Sequence, residues 1–252
     1  MRLNRTQSGI CTASLLCLII LLSVSLRILY ANRYLPNRDS IHYVLVAEQA
    51  AEGGFWDEFC LEYSPNMPPL LHLILGGIAI LGGDVFFWGM VLMLLSNVIF
   101  IYGIYLCGKE LFHNYPPAGL CAALLVATTP EFISVGGNIM RDNLYHCVFV
   151  FALYCGIRMA ESKKTMVLDA IGYGICCTIG FLCRKEAVEI PAILMLWGIV
   201  SLFASRANFK KVFQSSMIAF FACLGTALPV FFVLNLYYPV QSALISALSS
   251  RL

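Results

Sequence analysis

Apolar residues run along this chain in blocks too long for the strands or amphipathic helices of a water-soluble domain. The first block, residues 10–30, follows Arg2 and Arg5, and about 20 apolar residues match the thickness of a bilayer's hydrocarbon core. It is longer than a signal-peptide core and no small-residue cleavage site follows it, so it reads as an uncleaved anchor. Residues 85–107 form a second unbroken run, and residues 212–237 a third, long enough to tilt or to break near Pro229. Shorter runs cover residues 70–81, ended by Gly82-Gly83-Asp84, and 117–129, opened by Pro116-Pro117 and closed by Pro130. Runs over 144–157, 167–183 and 187–204 complete a set of about eight predicted spans.

Residues 32–66 break this pattern. They hold Arg33, Arg38, Asp39, Glu48, Glu52, Asp57, Glu58 and Glu62. Within them Ile41, Val44, Leu45, Ala47 and Ala51 recur near helical spacing, with Gly53-Gly54 as a stop, which predicts a short amphipathic helix on the membrane surface. The predicted architecture is an all-α integral membrane bundle forming one transmembrane domain over 1–252. Its parts are an N-terminal anchor (1–31), an outer loop carrying the surface helix (32–66), a helical bundle (67–238) and an outer tail (239–252).

Composition agrees with this reading: 60% of the residues are hydrophobic and only 12% charged, with a mean hydropathy of +0.82. A soluble domain carries about 25% charged residues, so too few are present to wet a globular surface. The net charge of +2 gains meaning only when divided by loop. With the N-terminus cytoplasmic, nine of the 16 basic residues fall on the inner side (Arg2, Arg5, Lys109, Arg158, Lys163, Lys164, Arg206, Lys210 and Lys211). Only three acids, Glu110, Glu161 and Asp169, accompany them. With the 70–81 run, marginal on length, not crossing, this bias favours a cytoplasmic N-terminus and puts the 32–66 loop and the turns at 130–142 and 184–186 together on the outer face. Ten of the 11 cysteines lie within or beside apolar runs, Cys60 being the exception, and none has metal-ligand spacing; they read as small apolar fillers. Nothing in the charge pattern suits a nucleic-acid partner.

Three charged clusters then stand at the outer ends of separate helices: Asp39-Ser40-Ile41-His42-Tyr43, Arg141-Asp142 and Arg184-Lys185-Glu186. Charges at a membrane boundary are costly unless they reach water or one another, so each cluster is a site candidate as well as an interfacial anchor. A carboxylate such as Asp39 can take a proton from an acceptor hydroxyl as a general base. Arg184 and Lys185 can hold a departing phosphate by charge-assisted hydrogen bonds.

The residues also carry a family resemblance. The pattern Asp39-x-x-x-Tyr43-x-x-x-Ala47 with Gly53-Gly54 resembles the first outer loop of GT-C-fold glycosyltransferases, in the branch of protein O-mannosyltransferases and lipid A aminoarabinose transferases. Pro68-Pro69-Leu70 resembles that branch's entry to its second span. Leu106, Lys109, Leu111, Phe112, Ala122-Ala123-Leu124-Leu125, Pro130 and Asp142 resemble its third-to-fifth-span segment, and Gly180 through Glu186 its Leu-Thr-Arg/Lys-x-Glu turn. The resemblance implies a membrane glycosyltransferase that moves a sugar from a polyprenyl-phosphate donor to an acceptor on the outer or lumenal face. It implies Asp39 as catalytic base and Asp142 as a second catalytic acid. Tyr43, Arg141, Arg184, Lys185 and Glu186 become substrate-binding residues. It implies no metal and no cofactor, the lipid-phosphate sugar being a substrate and membrane lipid the surroundings. Two departures stand out: Ser40 follows Asp39 where many relatives have Glu, and Met67 precedes Pro68-Pro69 where many have Lys. Relatives of the branch are about twice as long, so the family's C-terminal part is expected to be missing and a partner subunit to supply further helices. Two other readings stay open, a non-catalytic or truncated membrane subunit and a transporter or flippase of lipid-linked sugars. The latter class places ionisable residues at mid-membrane and repeats its halves. The span interiors here are read as lacking such charges, and no internal repeat is found.

Overall fold

The computed structural model describes residues 5–53, 69–161, 166–204, 210 and 212–230. Every described element is helical. They are α1 (Arg5–Arg33), α2 (Arg38–Gly53), α3 (Leu70–Ile80), α4 (Val85–Leu111), α5 (Pro116–Thr128), α6 (Pro130–Gly136), α7 (Arg141–Glu161), α8 (Met166–Cys183), a 3-10 turn (Lys185–Val188), α9 (Glu189–Ala204) and α10 (Val212–Val230). The rest of the segment predicted as an outer loop, including Asp57, Glu58, Cys60, Glu62 and Met67, lies outside the described residues, as do the tail and the end of the last predicted span.

Each of the eight predicted apolar runs is helical where described, and the architecture is an all-α integral membrane fold. Length and composition together qualify four helices to cross a membrane: residues Gly9–Arg33 of α1, α4, α8 and α10. A fifth is added if α5 and α6 count as one bent span. The difference from about eight has a physical basis. At 1.5 Å per residue the 11-residue α3 covers roughly half of a 30 Å hydrocarbon core. Helix α7 is long enough at 21 residues, but it carries Arg141, Asp142, Asn143, His146 and Arg158.

Pro130 does more than close the preceding run. It occupies the first turn of α6, where a missing N–H costs nothing, and the chain bends by 66° between α5 and α6. The 130–142 segment therefore contains a seven-residue helix as well as a turn.

Helix α4 is the hub. It packs on α1, α3, α5 and α7, while α8 packs on α7. One core joins Leu16 of α1, Ile101 and Tyr105 of α4, and Ala123 and Ala127 of α5. A second joins α7, α8, α9 and α10 through Tyr145, Ala152, Tyr173, Cys177, Ile190 and Ala219. A third seats α2 on α3 and α4, through Tyr43 and Ala47 against Leu71, Leu75, Val85 and Met93. The surface helix is thus present, but its protein-facing stripe is Tyr43, Val46 and Ala47, and Ile41, Leu45 and Ala51 point outward. Tyr43 has the larger ring and finds an aromatic partner, His72, with ring centroids 4.9 Å apart.

Small residues permit this packing. In lipid, helices gain little from hydrophobic exclusion and associate through close van der Waals contact. A Cβ added at Gly119 of α5 would lie 2.4 Å from the Tyr105 carbonyl oxygen of α4, and one at Gly174 of α8 would lie 2.4 Å from the Ala219 carbonyl oxygen of α10. Both neighbours are backbone and cannot swing aside.

The reading that span interiors lack ionisable residues needs correction. Arg27 lies inside the first predicted span and is 1% exposed. A buried charge with no ionic partner is costly, so its retention asks for a reason. Its Nη1 donates to the Ser23 carbonyl (3.1 Å) and the Ser23 hydroxyl (2.7 Å), and that hydroxyl also accepts from Asn97 Nδ2 of α4 (3.0 Å).

The close contact at Gly119 yields a direct test. Gly119→Ala should destabilise the folded protein by about 1–3 kcal/mol through overpacking. Gly77→Ala, where an added Cβ meets nothing within 4 Å, should leave stability unchanged or slightly raised. Thermal unfolding in detergent, followed by size-exclusion recovery, separates the two; equal recovery would contradict the packing described.

Candidate functional site

Two helix N-termini are fastened together at one end of the bundle. Asn37 caps α2, its Oδ1 accepting from the Ser40 backbone N–H at 2.7 Å and lying 2.6 Å from the Ser40 hydroxyl. Such a cap is worth about 1 kcal/mol to its helix. The same residue reaches across the fold, its backbone N–H donating to Asn138 Oδ1 at 3.1 Å. The buried Ser40 hydroxyl also lies 3.2 Å from the Ile139 carbonyl. Asn138 in turn donates to the Ser134 carbonyl at 2.7 Å, and Asn143 donates to the carbonyls of Val135 (2.9 Å) and Asn138 (3.2 Å). The segment 138–143 is therefore tied to the start of α2, and Asp39 and Asp142 are carried on two helix ends that share one hydrogen-bonded joint.

The third cluster comes from the α8–α9 turn. Arg184, extended at φ −152°, donates through Nη1 to Asp142 Oδ1 and through Nε to Glu186 Oε2, the latter at 3.2 Å. Its guanidinium also lies 5.8 Å from the centre of the Tyr145 ring, whose hydroxyl donates to Glu189. Burial opposes the charge on Arg184, but Asp142 and Glu186 more than offset it and raise its pKa. Glu186 is held below its ordinary value, first by a backbone hydrogen bond and also by Arg184 and Arg141, while its burial works the other way.

Tyr43 stands among these groups. It is 5% exposed, and burial is the main reason its phenol is pushed above its ordinary pKa. Four charges act on it electrostatically: Arg141 and Arg184 lower the value, and Asp39 and Asp142 raise it. The structure thus brings Asp39, Tyr43, Arg141, Asp142, Arg184 and Glu186 into one neighbourhood drawn from three separate parts of the chain. Lys185 opens the 3-10 turn beside Arg184 and is exposed. Asp39 is exposed in the first turn of α2.

Two described cavities lie away from this neighbourhood. One, of about 210 Å³, is apolar and lined by Leu153, Gly156, Tyr173, Leu194 and Trp197. The other, of about 360 Å³, is an apolar groove between α1 and α5. The segment that follows α2 in sequence, 54–68, lies outside the described residues.

Sequence reading passed over the residues that hold the neighbourhood together. Asn37 carried a usable signal, an Asn just before an amphipathic stretch. Ser40 was noted only as a departure from relatives, whereas here its hydroxyl joins the clamp. Asn138, Asn143 and the Tyr145–Glu189 pair carried no pattern of their own. The Gly136-Gly137 pair serves close packing: an added Cβ at Gly136 would lie 2.2 Å from Arg27 Nε, and one at Gly137 would lie 2.6 Å from the Tyr30 ring.

Comparison with known proteins bears on what this neighbourhood belongs to. A search of curated proteins finds no match. The model of the dolichyl-phosphate-mannose-protein mannosyltransferase family matches residues 66–248, a stretch that contains Asp142 and the Arg184–Glu186 turn and begins after α2. With most of the chain covered by that match and an all-α membrane fold around it, this multi-pass membrane protein belongs to the dolichyl-phosphate-mannose-protein mannosyltransferase family, glycosyltransferases of the mannosyltransferase type.

Proposed function

We propose that the protein transfers a mannose-type sugar from a polyprenyl-phosphate donor to an acceptor hydroxyl, using the charged neighbourhood around Tyr43. The observation that carries this reading is the Asp142–Arg184 pair placed beside Tyr43 and within its electrostatic reach of Asp39. In this scheme the Asp39 carboxylate takes the acceptor's hydroxyl proton. The acceptor oxygen forms a bond to the sugar's anomeric carbon as the bond from that carbon to the phosphate oxygen breaks. The electron pair leaves with the phosphate, whose charge is met by Arg184, Lys185 and Arg141. Asp142 fixes the guanidinium plane of Arg184, and Tyr43 stays a neutral phenol able to donate to a sugar or phosphate oxygen. The donor's lipid tail stays in the bilayer, which accounts for a transferase built almost wholly of membrane helices.

The outer or lumenal face is the side this reading assigns to the site. In its support, α7 begins with Arg141 and Asp142 and ends near Arg158, which pairs with Asp169 at 3.2 Å at the opposite end of the bundle. Lys109 also lies in the last turn of its helix, far along α4 from Asp84. Those basic residues belong to the inner set that the positive-inside bias selects.

Two substitutions test the assignment in membranes supplied with dolichyl- or undecaprenyl-phosphate mannose. Asp39→Asn, which keeps shape and removes the base, should lower transfer by about 10²-fold or more; unchanged transfer would remove Asp39 from the reaction. Arg184→Gln should raise the donor KM about tenfold or more through loss of a charge-assisted contact worth roughly 1.5–3 kcal/mol. Arg184→Lys should recover part of that loss, since it restores charge without the planar fork. Equal KM values for the wild type and Arg184→Gln would show that the phosphate is held elsewhere.

A further inference from the structure

We propose that Arg27, buried inside α1, is a positioning residue for the transfer site, acting as a wedge beneath the turn that carries Asn138. The inference rests on the proposed transfer reaction for its catalytic consequence, and on geometry alone for the wedge itself.

Arg27 is fully buried, its Nη1 bonds only to Ser23 of its own helix, and its Nε has no hydrogen-bond partner. Three salt bridges are described elsewhere in the fold, and none includes it. A cation placed this way contributes little as a charge pair. Its stem does something more specific. It lies against Gly136 so closely that an added Cβ would sit 2.2 Å from Nε and 2.7 Å from Cδ. One turn along α1, Tyr30 lies in the same way against Gly137. These two glycines end α6, where the last carbonyls carry partial negative charge and favour a neighbouring cation.

The next residue is Asn138, whose side chain holds the Asn37 backbone N–H. Asn37 caps the helix that bears Asp39, and Ser40 of that helix reaches the Ile139 carbonyl. Asn143, next to Asp142, holds the Val135 and Asn138 carbonyls. A displacement of Gly136-Gly137 therefore passes through one chain of hydrogen bonds to both carboxylates. Ser23 and Asn97 anchor the wedge from below, because the Ser23 hydroxyl joins Arg27 Nη1 to α4, the hub of the bundle. A shorter or floppier side chain at 27 would leave the glycine pair unsupported, while a larger residue at 136 would push the wedge out.

The test uses full-length protein in lipid nanodiscs, with amide hydrogen exchange and transfer kinetics read on the same samples. The variants are Arg27→Met, apolar and of similar reach so that it inserts readily, together with Arg27→Lys and Gly136→Ala. Arg27→Met and Gly136→Ala should speed exchange of the amides at 38–41 at least tenfold, with amides of α8 unchanged. They should lower kcat on the order of ten- to a hundredfold while donor KM stays within about twofold, since misplacing a reacting group by an ångström costs rate more than binding. Arg27→Lys should fall between Arg27→Met and the wild type on both readouts. Exchange at 38–41 that does not respond would overturn the wedge, and so would faster exchange spread evenly through α8, which is what a merely structural role gives. If exchange responds as expected while the wild type transfers no mannose from any donor, the wedge stands and the transfer reading falls.

Discussion

The joint between Asn37 and Asn138 is the constraint on which the arrangement of charges depends. Helices packed by apolar contact are free to slide and turn by small amounts, because one lipid-facing leucine is much like another. A part-buried hydrogen bond between an amide N–H and the buried Asn138 side chain allows less freedom, since leaving a buried polar group unpaired costs about 1–3 kcal/mol. Here the Asn37 side chain closes the first turn of α2 while its backbone is held by Asn138, and Ser40 adds a contact to Ile139. These polar groups share acceptors, so they stand or fall as a unit. The result is that two helices from distant parts of the chain begin side by side, with a carboxylate in the first turn of each.

Below that joint the bundle supplies rigidity by other means. The α4–α5 contact is made at Gly119 and Gly108, and the α8–α10 contact at Gly174, where an added Cβ would meet backbone atoms. Close backbone approach gives many weak contacts in place of the hydrophobic exclusion that lipid cannot provide. Arg27 departs from this apolar packing, and its position against the glycine pair gives a reason for keeping a costly residue. A polar seam thus runs through the apolar scaffold, from Asn97 and Ser23 through Arg27 to the turn at 136–143.

Much of this was legible in the sequence, and the rest was hidden for identifiable reasons. The long runs of α1 and α4 and the surface helix α2 follow from hydropathy and period alone. Asp39, Asp142 and Arg184 were singled out by position at helix ends, and the fold brings them to one place. The protein-facing stripe of α2 was not legible, because an amphipathic pattern does not say whether lipid or protein takes the apolar side; Tyr43 and Val46 went inward and Ile41 and Leu45 outward. Helix α6 was read as a turn because a seven-residue helix opened by proline has no room to show a period. The clamp was invisible because Asn37 and Asn138 are 101 residues apart and hydrogen-bonding partners across such a distance leave no spacing to read. Arg27 was plainly visible as a single charge in an apolar run, but nothing within that run says which other helix buries it.

The pairing of Asp142 with Arg184 bears on how the proposed chemistry divides between the two carboxylates. Asp142 accepts a charge-assisted bond from Arg184 in a partly buried place, where screening is weaker than at an open surface. A carboxylate so engaged gives up its cation only if something replaces it, which makes it a poor choice for a proton acceptor that must be free at the moment of reaction. Asp39 is exposed at the start of α2, and among the described residues no ion pair engages it. Arg184 has a further demand on it, since two of its nitrogens are already occupied by Asp142 and Glu186. A donor phosphate approaching it would meet one remaining nitrogen, with Lys185 and Arg141 nearby to share the charge. That arrangement serves both the bound donor phosphate and the leaving group it becomes. The cation is fixed in orientation by Asp142 before the donor arrives, and its attraction grows as negative charge builds on the departing oxygen.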